Sequence, residues 1–302
     1  MQCATDNPST KIFRAKYLAL MALVLVSLIM TLSAKPVSAG SLSIQPLRQE
    51  LELKPGQAIS SNILVRNTGR EPATINISAE SFGVINEDYD YSFTQSQDLA
   101  KWVRFDEQKT TILPNQSFVF NFTISVPTSA EPGGKYIAIF STLSSQSSAN
   151  INSIERVGQL IYLTVSGANS RTGSVIGLSV PKISFDSKLN WSLRIHNTGS
   201  AHFKSTITTK TNYWPFGSVQ TENTEHLILP NTIRLIKNNT QLGKPMGLYK
   251  IQISAGMGDK PPEIQTHWVL YLPPFQFVLF VLAIISGCIT ISKIRSKKSI
   301  KT

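Results

Sequence analysis

The chain has 302 residues, 41% hydrophobic and 16% charged, with a formal net charge of +11 at pH 7. The excess is terminal: residues 1–39 set Lys11, Arg14, Lys16 and Lys35 against Asp6, and the last ten residues carry five cations and no acid, which leaves +3 for everything between. That balance gives the central segment no electrostatic case for DNA or RNA binding, and its lack of cysteine (Cys3 and Cys288 are terminal) excludes disulfides and thiolate metal sites there.

Taken in order, the chain opens with cations at Lys11, Arg14 and Lys16, an apolar run over residues 18–32 and the small residues Val37-Ser38-Ala39. This is the pattern of a signal peptide over residues 1–39, cleaved before Gly40. Strand signals follow. Residues 42–53 carry spaced leucines up to the turn Lys54-Pro55-Gly56-Gln57, and residues 59–65 form a strand ending in Arg66-Asn67-Thr68-Gly69. Residues 73–79 alternate strictly, residues 86–101 read as a polar loop, and residues 118–126 (FVFNFTISV) give the clearest period-two pattern of the chain. Residues 136–143 and 157–165 supply two more strands, separated by the low-complexity stretch 144–152, which is expected to be mobile.

In the second half, strands are expected over residues 174–185, 189–196, 203–211, 225–229, 232–236, 248–255 and 264–271. Between the termini no helical period persists over ten residues. The spacing predicts an all-β protein with two tandem immunoglobulin-like β-sandwiches, residues 40–168 and 169–272. Each is long enough to bury a core of its own. Residues 275–292 (FQFVLFVLAIISGCITIS) are apolar and uncharged, so residues 273–292 are expected to form a single transmembrane helix. The tail 293–302, with Lys293, Arg295, Lys297, Lys298 and Lys301, is expected on the cytoplasmic side.

An internal repeat supports two copies of one fold. Leu64-Val65-Arg66-Asn67-Thr68-Gly69 matches Leu193 to Gly199 with one inserted residue, and Ile112-Leu113-Pro114-Asn115 recurs as Ile228-Leu229-Pro230-Asn231. Glu131-Pro132-Gly133-Gly134-Lys135-Tyr136 echoes Lys244-Pro245-Met246-Gly247-Leu248-Tyr249. The expected role of these residues is in turns: Asn or Gly at positive φ after the strand, Pro-Asn opening a tight turn, and Gly easing entry to the next strand.

The signal peptide with "PLRQELELKPGQ", "NILVRNTG", "LPNQSFVFNFTISVPTSAEPGGKYIAIF" and "VGQLIYLTVSG" resembles bacterial cell-surface proteins with tandem immunoglobulin-like domains, the WxL-interacting protein family in particular. That resemblance implies an N-terminal domain of peptidoglycan-binding type, a second β domain and a C-terminal membrane helix with a basic tail. It implies peptidoglycan or a surface protein as partner, and it carries no binding residue onto this chain.

Candidate sites are few. Glu87, Asp88 and Asp90, interleaved with Tyr89 and Tyr91, could offer oxygen ligands to calcium, though the spacing lacks the glycine and terminal glutamate of an EF-hand loop; a solvated hairpin tip is the simpler expectation. Tyr213, Trp214 and Phe216 could form an aromatic platform for a sugar ring, or plug one end of a sandwich core. His196, His202, His226 and His267 fall at no metal-ligand spacing, and no Gly-x-Ser-x-Gly, phosphate-binding glycine loop or Ser-x-x-Lys occurs. The expectation is a membrane-anchored, non-enzymatic surface protein without cofactor that binds cell-wall polymer or another surface protein. The alternatives are an assembly factor for exported subunits, like a pilus chaperone, and a structural stalk.

Overall fold

The computed structural model describes Met21 and residues 41–94, 97–144, 155–215, 217, 219–243 and 245–299. The expected signal segment apart from Met21, most of the stretch 144–152, Phe216 and Lys301 lie outside these residues. Everything below belongs to the compact unit Leu42–Thr302.

The first half contains β1 (Leu42–Gln45), β2 (Arg48–Leu53), β3 (Ala58–Asn67), β4 (Ala73–Val84), β5 (Tyr91–Thr94), a short helix α1 (Gln97–Ala100), β6 (Val103–Phe105), β7 (Lys109–Ile112), β8 (Ser117–Ser125), β9 (Gly133–Leu143) and β10 (Arg156–Val165). One sheet runs β1-β3-β8-β6 and the other β2-β10-β9-β4-β5, with β7 also paired to β4. Alternation delivers Ile63, Val65, Phe120, Phe122 and Ile124 from one sheet and Ile75, Ile137, Ile139, Ile161 and Leu163 from the other to a single buried core. Residues 86–101 are more than the expected polar loop, since they contain β5 and α1. Cross-strand aromatics hold β5 to β4: Phe82 lies opposite Phe93 and stacks edge-on against Tyr91 at 5.5 Å.

The second half contains β11 (Gly173–Ser179), β12 (Ile183–Ser184), β13 (Lys188–Asn197), β14 (Phe203–Tyr213), β15 (Val219–Ile228), β16 (Ile233–Gln241), β17 (Gly247–Met257) and β18 (Lys260–Tyr271). Its sheets run β11-β13-β16 and β12-β18-β17-β14-β15. The expected strand 174–185 divides at Val180-Pro181, and its second part joins the opposite sheet. The expected strand 225–229 is the far end of the longer β15.

The two halves share one plan. The first strand of each splits: β1 and β11 pair antiparallel with β3 and β13, whereas β2 and β12 pair parallel with the last strands, β10 and β18. The repeated asparagines explain why the sequence recurs. Asn67 donates from Nδ2 to the carbonyls of Glu71 (2.7 Å) and Ile112 (2.9 Å) and accepts the Gly69 N–H at 2.8 Å. Asn197 donates to Ala201 (3.0 Å) and Ile228 (2.8 Å) and accepts the Gly199 N–H at 2.8 Å. Both are fully buried. Neither they nor Gly69 and Gly199 take positive φ, which corrects the expectation of a left-handed turn; each asparagine is a clasp that satisfies carbonyls leaving the sheets. The Pro-Asn turns do use positive φ, 60° at Asn115 and 56° at Asn231.

α2 (Pro274–Ser299) follows β18 directly. Its first 18 residues, Pro274–Ile291, are exposed, and the helix is long and apolar enough to cross a membrane, at roughly 27 Å for that length. The helix itself runs on past Ser292. It continues through Lys293, Arg295, Lys297 and Lys298, residue types with good helix propensity.

Candidate functional site

β9 is apolar on both faces because it has two cores to serve. Ile137 and Ile139 enter the first core, while Tyr136, Ala138 and Phe140 join Phe82, Tyr89 and Tyr162 in a cluster continuous with the core of the second sandwich. The seam between the sandwiches is therefore an aromatic layer.

The tip of the β4–β5 hairpin reaches across this seam. Tyr89, at φ 68°, places its hydroxyl where it accepts the Leu229 N–H at 2.7 Å and lies 2.8 Å from Thr232 Oγ1, with the Arg234 guanidinium 4.2 Å above the ring. The Leu235 N–H donates to the Glu87 carbonyl at 2.7 Å. The Glu87 carboxylate takes two bonds from Arg194, one from Nε at 2.7 Å, and Asp88 pairs with Lys237 at 2.6 Å. The carboxylates considered as calcium ligands thus face cations of the second sandwich, and Asp90 accepts from Asn86 at 2.7 Å. Among the described residues no group of three or more His, Cys, Asp or Glu side chains is placed to hold a metal ion. Exposed pairs of this kind are screened by water and contribute little, so the buried Tyr89 hydroxyl is the stronger link.

On the other side of the seam, the Gly134 N–H donates to the Ser200 carbonyl at 3.0 Å, and a Cβ on Gly133 (φ +127°) would lie 2.9 Å from that oxygen. Tyr136 Oη is 3.3 Å from His202 Nδ1, and burial lowers the His202 pKa to about 4, leaving a neutral imidazole. Beside it opens a cleft of about 480 Å³ lined by Glu50, Glu52, Arg171, His202, Lys204 and Asp259. Its charges answer one another: Lys204 meets Glu50 at 2.9 Å and Arg171 meets Glu52 at 3.3 Å. Burial raises the Glu50 pKa, but the bonds from Lys204 and Arg48 outweigh it and hold the carboxyl below its ordinary value.

Of the aromatic platform, Tyr213 and Trp214 part ways. Tyr213 turns inward against Tyr249, centroids 5.2 Å apart, while Trp214 is exposed and meets Trp268 edge-to-face at 6.3 Å. Trp268 was not singled out by sequence reasoning, since an alternating strand gives no sign of which face stays bare.

Strand edges complete the inventory. β1, β5 and β6 are short, and β2 is occupied by the ion pairs of the cleft. β11 carries a bulge between Val175 and Gly177, β16 receives the hairpin at Leu235, and β18 begins with Pro261-Pro262 and ends beside β12. These are the usual ways of blunting an edge. β15 differs: it pairs with β14 along its whole length without a register shift, contains no proline, and has no second strand partner among the described residues. The Leu227 carbonyl accepts from Arg234 at 2.5 Å, on the side away from β14. By alternation Thr221, Asn223 and Glu225 direct their N–H and C=O groups to the same open side.

The comparisons fit this architecture. A family of Fn3-like domains matches residues 51–154. No curated protein sequence matches the chain. Among solved structures, the class 5 fimbriae chaperone CfaA is similar, with 12% identity, a TM-score of 0.38, and coverage of 76% of this chain and all of that one. A chain of the CsuC–CsuE chaperone–tip adhesion subunit complex of archaic Csu pili from Acinetobacter baumannii gives 12% identity, a TM-score of 0.39, and coverage of 77% and 100%. The CupB2 chaperone of Pseudomonas aeruginosa gives 8% identity, a TM-score of 0.38, and coverage of 75% and 100%. The family match supports an Fn3-like β-sandwich over residues 51–154, and none of these comparisons reaches the WxL-interacting family.

Proposed function

We propose that this chain is a non-enzymatic binding protein, tethered to a membrane by α2, that takes up an extended segment of a partner polypeptide along the open edge of β15, in the manner of an assembly factor for exported proteins. The observation that carries the reading is β15 itself, a ten-residue edge strand that is neither kinked nor interrupted and that, from Thr221 to Glu225, has no second strand partner among the described residues. Strand addition draws affinity from main-chain bonds, and Glu222 and Glu225 discourage two copies of the strand from pairing with each other. The seam supports the role, because it fixes both sandwiches as one body on the tether. The basic residues after Ile291 keep the C-terminus on the cytoplasmic side and the sandwiches outside. The cleft lined by Glu50, Glu52, Arg171 and Lys204 holds mutually neutralised charges.

A photo-activated cross-linker introduced at Thr221 in the full chain, in its native membrane, tests this reading. It should trap a polypeptide, and Asn223→Pro, which removes an N–H on the open side only, should abolish the adduct while leaving the fold intact. Thr224→Pro, which removes a bond to β14, should instead destabilise the second sandwich. A second reading, a cell-wall polymer as ligand, has exposed Trp214 in its favour. Carbohydrate adducts, or polypeptide adducts indifferent to Asn223→Pro, would overturn the strand-addition reading.

A further inference from the structure

The outer face of the second sandwich carries an apolar row at one level. Ile183 lies opposite Leu270, Leu270 opposite Leu248, and the Trp214 N–H donates to the Leu248 carbonyl at 2.9 Å, so the row crosses β12, β18, β17 and the end of β14. Ile183 is 51% exposed, Leu270 37% and Trp214 54%; Trp268, two residues along β18, is 45% exposed, and Phe185 beside β12 is 61% exposed. Apolar side chains aligned on one face, two of them tryptophans in contact, form a continuous patch rather than the scattered exposure that any surface shows.

The position of the row says what covers it. Leu270 is four residues before Pro274, where α2 begins, which is about 13 Å of extended chain. The β16–β17 connection on the same side touches the helix itself: the Met246 N–H donates to Gln276 Oε1 at 2.9 Å. A bilayer crossed by α2 would bring its headgroup layer within that reach of the row. Tryptophan is the residue that favours that depth, where its ring is buried and its indole N–H stays solvated. Lys182 and Lys250 are exposed next to the row, Lys182 beside Ile183 and Lys250 directly opposite Trp268, and these cations suit anionic headgroups.

We propose that this rim, Ile183, Phe185, Trp214, Trp268 and Leu270, seats in the headgroup–acyl boundary of the membrane, so that the second sandwich leans on the bilayer instead of swinging from the helix. The inference rests on the reading of α2 as a membrane span. Two anchorage points, a helix and a rim, hold the sandwich at a fixed tilt and orient the β15 edge relative to the membrane surface.

The test uses the full chain in phosphatidylcholine–phosphatidylglycerol vesicles whose lipids carry bromine near the headgroup end or near the methyl end of the acyl chains. Tryptophan emission should be quenched by the first set and much less by the second. Trp214→Phe and Trp268→Phe should each remove part of that quenching and together nearly all of it, because Trp191 is buried in the second core and Trp102 sits against the first. Protease protection of the basic tail, measured on the same vesicles, separates the two readings. A protected tail with unquenched Trp214 and Trp268 overturns the rim proposal alone. A chain that fails to insert overturns the membrane span and the rim together. Emission that answers to soluble wall saccharides rather than to brominated lipid returns the aromatic pair to the sugar-platform reading and overturns the proposal.

Discussion

The twin asparagines permit a prediction in which two sites, far apart in the chain, must behave alike. Replacing Asn197 by Ala removes three hydrogen bonds at a position with no solvent exposure: the Ala201 and Ile228 carbonyls lose a donor, and the Gly199 N–H keeps only its bond to the Thr172 carbonyl at 3.1 Å. At about 1 kcal/mol net per bond the loss is about 3 kcal/mol, more if the stranded groups stay dry. Asn67→Ala removes the equivalent three bonds and should cost the same. With a urea slope of about 1–3 kcal/mol per molar, each change should lower the unfolding midpoint of its own sandwich by about 1–3 M. Intrinsic fluorescence follows the two separately, since Trp102 packs against the first core and Trp191 lies inside the second. The contrast with glycine makes the reasoning refutable. Asn197→Gly should be as damaging as Asn197→Ala, whereas Asn231→Gly, at φ 56°, should be nearly neutral because only its backbone conformation matters. If Asn197→Gly is tolerated, or either alanine variant costs under about 1 kcal/mol, the clasp assignment fails.

Two further outcomes concern the seam. Tyr89→Phe keeps the ring and its packing but leaves the Leu229 N–H without an acceptor, so it should cost about 1–3 kcal/mol and raise amide exchange at Leu229; an unchanged exchange rate there would show that the hydroxyl is not a link. His202 titrates at 6.5 in the unfolded chain and at about 4 in the fold, where burial keeps it neutral. The unfolded state therefore binds the proton first, and stability present above pH 6.5 should fall as pH drops through this window and level off below about 4. His202→Gln should flatten the upper part of that profile, before the carboxylates titrate. A profile unchanged by the substitution would remove His202 from the acid response.

Much of the fold was legible in the residues because its causes are local. Period-two alternation in residues 118–126 places Phe120, Phe122 and Ile124 in the core, and the recurrence of Asn-Thr-Gly and Pro-Asn marks two copies of one plan. The missed pieces had non-local causes. β5 forms because its aromatics find Phe82 across the hairpin, and β15 extends beyond its apolar end because β14 offers it a partner along its whole length. Glu87 and Asp88 looked like a solvated acidic tip, and nothing near them in the chain names Arg194 or Lys237 as their partners, more than a hundred residues away.

The sequence by itself determined that this is a β protein with a repeated scaffold, a near-neutral cysteine-free centre, and an apolar segment followed by cations. Composition, alternation and charge placement are properties of neighbouring residues, and they act before any long-range contact exists. Tertiary structure alone decided what remains exposed. It made β9 serve two cores, turned the acidic hairpin into a clasp across the seam, left the outer edge of β15 without a strand partner among the described residues, and aligned Trp214 with Trp268 beside the helix. Which edges and faces stay bare depends on how strands from distant parts of the chain are laid side by side. That arrangement, rather than any motif, is where the surfaces proposed to act are found.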